Sequence, residues 1–210
     1  YTSDIQKEDR RRALHKHSVG IERALWLGKR YETLESGQPI RFTGGVLDNI
    51  PSANKVAVAG AGAMDMDTLM SYFPDIFAYG SGEKLAFTSL KVMSILSEVI
   101  RKNTQYQFGG REKEYGLSVM RFYTPAGTLV LTEHPLFGQG GGFLSDSMVI
   151  MDTAQLKYRY IKDTTLLKDR GSPGDDGTSE EYLTEAGLEI HQGKTFYYIS
   201  NIKSAAADAG

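Results

Sequence analysis

The chain has 210 residues, enough to bury a full hydrophobic core as one domain or two small ones, and carries a net charge of −2 with no cysteine. Apolar residues make up 40% and charged residues 24%, the balance of a folded globular chain rather than a disordered one. These figures exclude disulfides, thiolate metal sites, cysteine nucleophiles and a strongly basic nucleic-acid binder, and no apolar run approaches the roughly 18 residues of a membrane helix.

From Asp4 to about Tyr31 the spacing predicts one long helix, with Ser3 or Asp4 as N-cap and Leu14, Ile21 and Leu25 on one stripe. A rod of about 27 residues spans about 40 Å, more than a small round domain needs. It suits a spine across a flat one. Its Arg10-Arg11-Arg12 run, bracketed by Glu8 and Asp9, reads either as a solvated helix face or as an inter-subunit salt-bridge site. From Glu35 to Pro51 the chain turns polar and glycine-bearing. Lys55 to Ala59 reads as a strand, Asp67 to Ala78 as a helix capped by Asp65 or Asp67 and interrupted by Pro74, and Lys84 to Lys102 as a second long helix. That helix would place Ala86, Leu90, Met93, Leu96 and Ile100 on one face.

Beyond Tyr106 the texture is β. Strands are expected over 115–123, 128–132, 147–151, 156–161, 182–190 and 195–202, with loops at Gly138–Gly142 and Gly171–Gly177. Helix, mixed, helix, then mostly strand is an α+β order without the alternation of a doubly wound sheet.

The chemistry-bearing motifs are few. Lys55–Ala59 running into Gly60-Ala61-Gly62 has the form of a strand feeding a phosphate-binding turn, but Asp65 stands at the third glycine position and would repel a phosphate. Gly80-Ser81-Gly82-Glu83-Lys84 lacks the spacing and the Ser/Thr of a phosphate loop. His15 and His17 lie about 200° apart on a helix and cannot share an ion. Asp65 and Asp67 read as a cap, Glu133-His134-Pro135 as a turn at a strand end, and Glu180-Glu181 and Asp175-Asp176 as solvated pairs. No Gly-x-Ser-x-Gly elbow is present. No catalytic residue, cofactor or metal ligand is nominated.

Taken in order, these features resemble the major capsid proteins of tailed bacteriophages, whose shell fold is shared with herpesvirus capsids. Ile21-Glu22-Arg23-Ala24-Leu25-Trp26-Leu27-Gly28 resembles the end of that family's spine helix, and Arg41-Phe42-Thr43-Gly44-Gly45-Val46-Leu47 its "tGGi" segment. Phe77–Lys84 with the helix after it is similar to the second core helix. Tyr115–Met120, Val149–Asp152 with 156–161, and Glu185–Ile202 resemble the later strands. The resemblance implies an α+β fold with a long spine helix, a second core helix and antiparallel sheets. It implies a peripheral and central plate from 1–50 and 85–203, a capsomer-centre domain from 50–84 and 103–150, and a tail at 204–210. It also implies self-association into the pentamers and hexamers of an icosahedral head, assembled in the host cytoplasm around non-specifically contacted DNA, with scaffold, portal or decoration proteins as further partners and no membrane. In that setting Arg10, Arg11 and Arg12 are the candidate assembly interface. The N-terminal arm and extended hairpin that such proteins carry ahead of the spine helix are not part of this stretch. The alternatives are another virion component, such as a tail-tube or head-completion protein, and a nucleotide-dependent enzyme using Gly60–Gly62.

Overall fold

A computed structural model describes residues 5–60, 62–102, 108–114, 117–138, 144–171, 174, 177 and 179–204. In chain order the elements are α1 (Ile5–Leu27), β1 (Tyr31–Glu35), β2 (Gln38–Phe42), α2 (Val46–Asn49), β3 (Lys55–Ala57), α3 (Met66–Ile76), β4 (Glu83–Thr88), α4 (Leu90–Lys102), β5 (Phe108–Glu114), β6 (Leu117–Thr124), β7 (Gly127–Glu133), α5 (Pro135–Gly138), β8 (Met148–Met151), β9 (Leu156–Leu167), β10 (Glu181–Ile190) and β11 (Tyr197–Ser200). They form two compact units: Tyr1–Asn49 with Lys157–Ile190, and Ile50–Leu156 with His191–Gly210. Residues 85–102 and 103–150 fall in the same unit, because β4 pairs with both β7 and β8 and α4 packs into the same core.

The second unit is built on a seven-stranded sheet in the order β3-β11-β8-β4-β7-β6-β5. The sheet is mixed rather than wholly antiparallel. β4 runs parallel to β7, with Leu85 opposite Val130, and β3 runs parallel to β11, with Lys55 opposite Tyr198; the remaining pairs are antiparallel. α3 and α4 bury Leu69, Phe73, Ile76, Val92, Leu96 and Ile100 against Phe122, Leu129, Ile150 and Ile199 of the sheet. Phe73 anchors this core, with its ring 5.7 Å from Phe122 and 5.9 Å from Phe77. Aromatic pairs at such distances add to area burial.

The expected Lys84–Lys102 helix is a strand followed by a helix. Lys84, Ala86 and Thr88 alternate inward along β4, a period of two that a helix cannot satisfy. Ser89 then opens α4, accepting the Val92 N–H on its Oγ at 3.2 Å. The buried face of α4 is Val92, Met93, Ile95, Leu96 and Ile100, while Leu90 is exposed and Ala86 belongs to the strand. α3 is capped by Asp65, whose carboxylate accepts the Thr68 N–H at 2.7 Å, and it continues through Pro74.

In the first unit α1 stops at Leu27, four residues before the expected end. Gly28 closes it through its N–H to the Ala24 carbonyl at 2.8 Å, and its own carbonyl accepts the Gly45 N–H at 2.7 Å. A Cβ on Gly28 would stand 2.6 Å from the Thr43 carbonyl, and one on Gly45 would stand 2.8 Å from the Trp26 carbonyl. Thr43-Gly44-Gly45 is therefore a close backbone crossing over the helix end, with Trp26 buried beside it. From the expected helix end at Tyr31 into the segment expected to be irregular runs the β1–β2 hairpin, in register from Tyr31 opposite Phe42 to Glu35 opposite Gln38. Its turn residues Ser36 and Gly37 both have positive φ, 51° and 78°, as a two-residue hairpin of primed type demands. The expectations for Ser3, Asp4, Asn103, Tyr115-Gly116, 139–143, Asp175-Asp176 and 205–210 lie outside the described residues.

Candidate assembly surface

The 23-residue α1 has Trp26 as its one buried residue among those described, so its hold on β10 comes from polar contacts along one side. Arg10 donates from Nε and Nη2 to the two carboxylate oxygens of Glu180, each at 2.6 Å, a forked charge-assisted pair. About two turns on, His17 Nε2 is hydrogen-bonded to Thr184 Oγ1 at 2.8 Å, and Thr184 to Thr164 of β9 at 2.8 Å. Arg10, His17 and Glu180 line a groove of about 410 Å³ with Asp9, Leu166 and Tyr182. The Arg10 guanidinium holds the Glu180 carboxyl below its ordinary pKa.

The arginine triplet is thereby divided. Arg10 is engaged inside the subunit. Arg11 and Arg12 both reach Glu8, at 2.9 and 3.1 Å, and remain 77% and 68% exposed. Hydrogen bonds first from Arg11 and then from Arg12 hold Glu8 down to about 2. With His15 and Lys16, which are also exposed, they form a basic stretch on the outer side of the helix.

What distinguishes this unit is how little it buries. Among the described residues, its buried apolar side chains are Trp26 and Val46, whereas the other unit holds the rest of the core. Nine of the twelve large apolar side chains that stay exposed lie in it: Ile5, Leu14, Leu27, Tyr31, Leu34, Phe42, Tyr158, Tyr160 and Ile161. The hairpin is two-stranded and shows solvent on both faces. β9 is exposed from Lys157 to Ile161, with Ile161 91% accessible. A two-stranded sheet of this kind is marginal alone in water. Sequence reading passed over the hairpin, although Tyr-Glu-Thr-Leu-Glu and Pro-Ile-Arg-Phe around Ser36-Gly37 carry its signal.

The motifs weighed for chemistry have structural uses in the second unit. Gly60 and Gly62 have φ of 65° and 86°, and a Cβ on Gly62 would lie 2.4 Å from the Asn201 carbonyl. Gly62 accepts the Lys203 N–H at 2.8 Å, and Lys203 accepts that of Met64 at 3.0 Å. The turn thus seats the C-terminal segment, while the Asp65 carboxylate occupies the helix start where a phosphate would sit. His134 is buried between Phe87 and Phe137, at ring distances of 5.7 and 4.8 Å, and exposed Glu133 ends β7. Glu181 pairs with Arg170 at 3.3 Å. No three metal-ligating side chains come together among the described residues.

Lys84, weighed only as part of a false phosphate loop, is almost fully buried. Its Nζ donates to the Tyr79 carbonyl at 2.8 Å and the Thr195 carbonyl at 2.7 Å. Burial pushes its pKa down, opposed by the nearby Asp152 carboxylate. Asp152 in turn accepts the Ser81 and Ala154 N–H groups at 2.9 and 3.1 Å. The ammonium is a structural pin that joins three loops at one end of the sheet.

Known proteins share this architecture. The encapsulin of the holo-SrpI complex from Synechococcus elongatus PCC 7942 superposes with a TM-score of 0.57 at 10% identity, over 96% of this chain and 68% of that one. The satellite phage P4 procapsid, a structure that includes the size determination protein, gives 0.53 at 16% identity, over 96% and 69%. The major capsid protein of Pseudomonas phage PaMx41 is 24% identical over 165 residues, 73% of this chain and 38% of that protein, so the chain spans well under half of that relative's length. The family model described as SU10 major capsid protein matches residues 2–203, nearly end to end. A helix laid on an under-buried β ribbon, joined to a mixed-sheet unit with its own core, is thus a viral shell fold, and the chain belongs to the SU10 major capsid protein family.

Proposed function

We propose that this chain is the shell-forming part of a tailed-phage head protein, and that copies associate into the pentamers and hexamers of an icosahedral shell around packaged DNA. The observation that carries this reading is the first unit's burial: among the described residues, two buried apolar side chains against nine large exposed ones. A unit of this composition gains its missing burial from neighbouring copies, and symmetry repeats every such contact many times. In this reading the first unit is the peripheral plate and the second lies at capsomer centres. The role is structural rather than catalytic. Scaffold, portal and decoration proteins are further partners, and assembly takes place in the host cytoplasm before the protein resides in the virion.

Arg11 and Arg12 are the members of the triplet that can reach a neighbouring subunit, since their guanidinium groups stay in solvent. Reversing both to Glu is expected to lower particle yield while leaving the thermal midpoint of the unassembled protein nearly unchanged. Reversing Arg10 is expected to lower that midpoint, because Glu180 then faces a like charge. Sedimentation and differential scanning calorimetry separate the two effects, and unchanged yield with R11E/R12E would remove both residues from the interface.

A further inference from the structure

We infer that the β1–β2 hairpin of one copy docks on the exposed stretch of β9 in a second copy, a head-to-tail contact that rests on the shell reading above. Two β elements in the same unit are left without apolar cover. The hairpin exposes Tyr31, Leu34 and Phe42 at 61%, 72% and 54%, and β9 exposes Tyr158, Tyr160 and Ile161 at 48%, 63% and 91%. Tyr31 and Phe42 form one aromatic pair with ring centroids 6.2 Å apart, and Tyr158 and Tyr160 form another at 6.3 Å.

Their charges are opposite. The β1 strand Tyr31–Glu35 carries Glu32 and Glu35, with Glu32 held only loosely by Arg41 at 3.4 Å between two exposed side chains. The β9 stretch carries Lys157, Arg159 and Lys162, of which Arg159 is paired with Glu189. Glu35, Lys157 and Lys162 have no ion-pair partner among the described residues. An acidic, aromatic hairpin and a basic, aromatic strand complement each other, and both present unpaired strand edges that invite addition of further β structure. Because the two patches are different surfaces of the same chain, the contact between copies is heterologous. Such contacts generate rings when the rotation closes.

The test uses the protein at its complete natural length. Leu34→Cys and Tyr160→Cys are made separately and together, both at exposed positions, and circular dichroism confirms that each variant is folded. Under mild oxidation after assembly, the double variant is expected to give a ladder of covalent multimers. A mixture of the two single variants is expected to give a dimer. In parallel, Glu35→Lys or Lys162→Glu alone is expected to raise the critical assembly concentration about tenfold, and the two together to restore it. Particles that form normally without cross-links, or a cross-link confined within one chain, would overturn this docking and leave the shell reading standing. Failure of the unsubstituted protein to form any particle would overturn both.

Discussion

Lys84 holds a positive charge where almost no water reaches, and two backbone carbonyls and Asp152 make that tolerable. Removing the ammonium strands those carbonyls in the interior. Lys84→Met is therefore expected to destabilise the chain by about 2–4 kcal/mol in urea unfolding, more than loss of the lysine's packing alone. Because burial lowers the lysine's pKa, its charged form is penalised in the folded state at neutral pH, and the penalty is relieved as pH rises above the lowered value. The Arg10–Glu180 pair works in the opposite sense. Its carboxyl is held below the ordinary 4.5, so its contribution is complete above that pH and is lost as pH falls through the folded-state value. Glu180→Gln is expected to lower the thermal midpoint at pH 7, and the gap from the unsubstituted chain is expected to close on acidification. A constant gap down to pH 2 would contradict this.

At the level of elements, close backbone crossings explain glycines that resemble chemistry. Gly62→Ala would force a Cβ into the Asn201 carbonyl from a backbone with φ of 86°, and is expected to cost about 2 kcal/mol or more. Asp65→Ala removes the α3 cap and is expected to cost about 1 kcal/mol. Nucleotides added to the unsubstituted protein are expected to leave its melting curve in place; a shift of several degrees would revive the phosphate-turn alternative. The same crossings mark how far the fold could be read from sequence. α1 and α3, the first half of Leu156–Leu167 and the strand Glu181–Ile190 announce themselves through apolar period, a cap or aromatic and β-branched residues. Glu83–Thr88 reads as helix because Leu85-Ala86-Phe87 joins smoothly onto the apolar spacing of α4, and only pairing with β7 and β8 decides for strand. The Tyr31–Phe42 hairpin carries only a short signal around Ser36-Gly37, and with neither face buried its two strands lack the clean alternation that would strengthen it. Lys84 gives no local sign of burial. Of the three carbonyl and carboxylate groups around it, Tyr79 lies five residues away, while Asp152 and Thr195 are distant in sequence.

Across the whole chain, the two units differ in what holds them together. The second has a continuous apolar core spanning both helices and the sheet. The first relies on polar side-chain contacts and glycine-mediated crossings, with exposed apolar residues left over. Hydrogen exchange on the unassembled chain is therefore expected to be faster in 5–49 and 157–190 than in β4, β7 and β8, and to slow in the first unit on assembly. The most direct test of the shell-protein account is negative-stain electron microscopy with light scattering on the complete protein, across salt and protein concentration. Closed shells, rings or capsomers from the complete protein are the predicted result. Monodisperse single copies under every condition would contradict it.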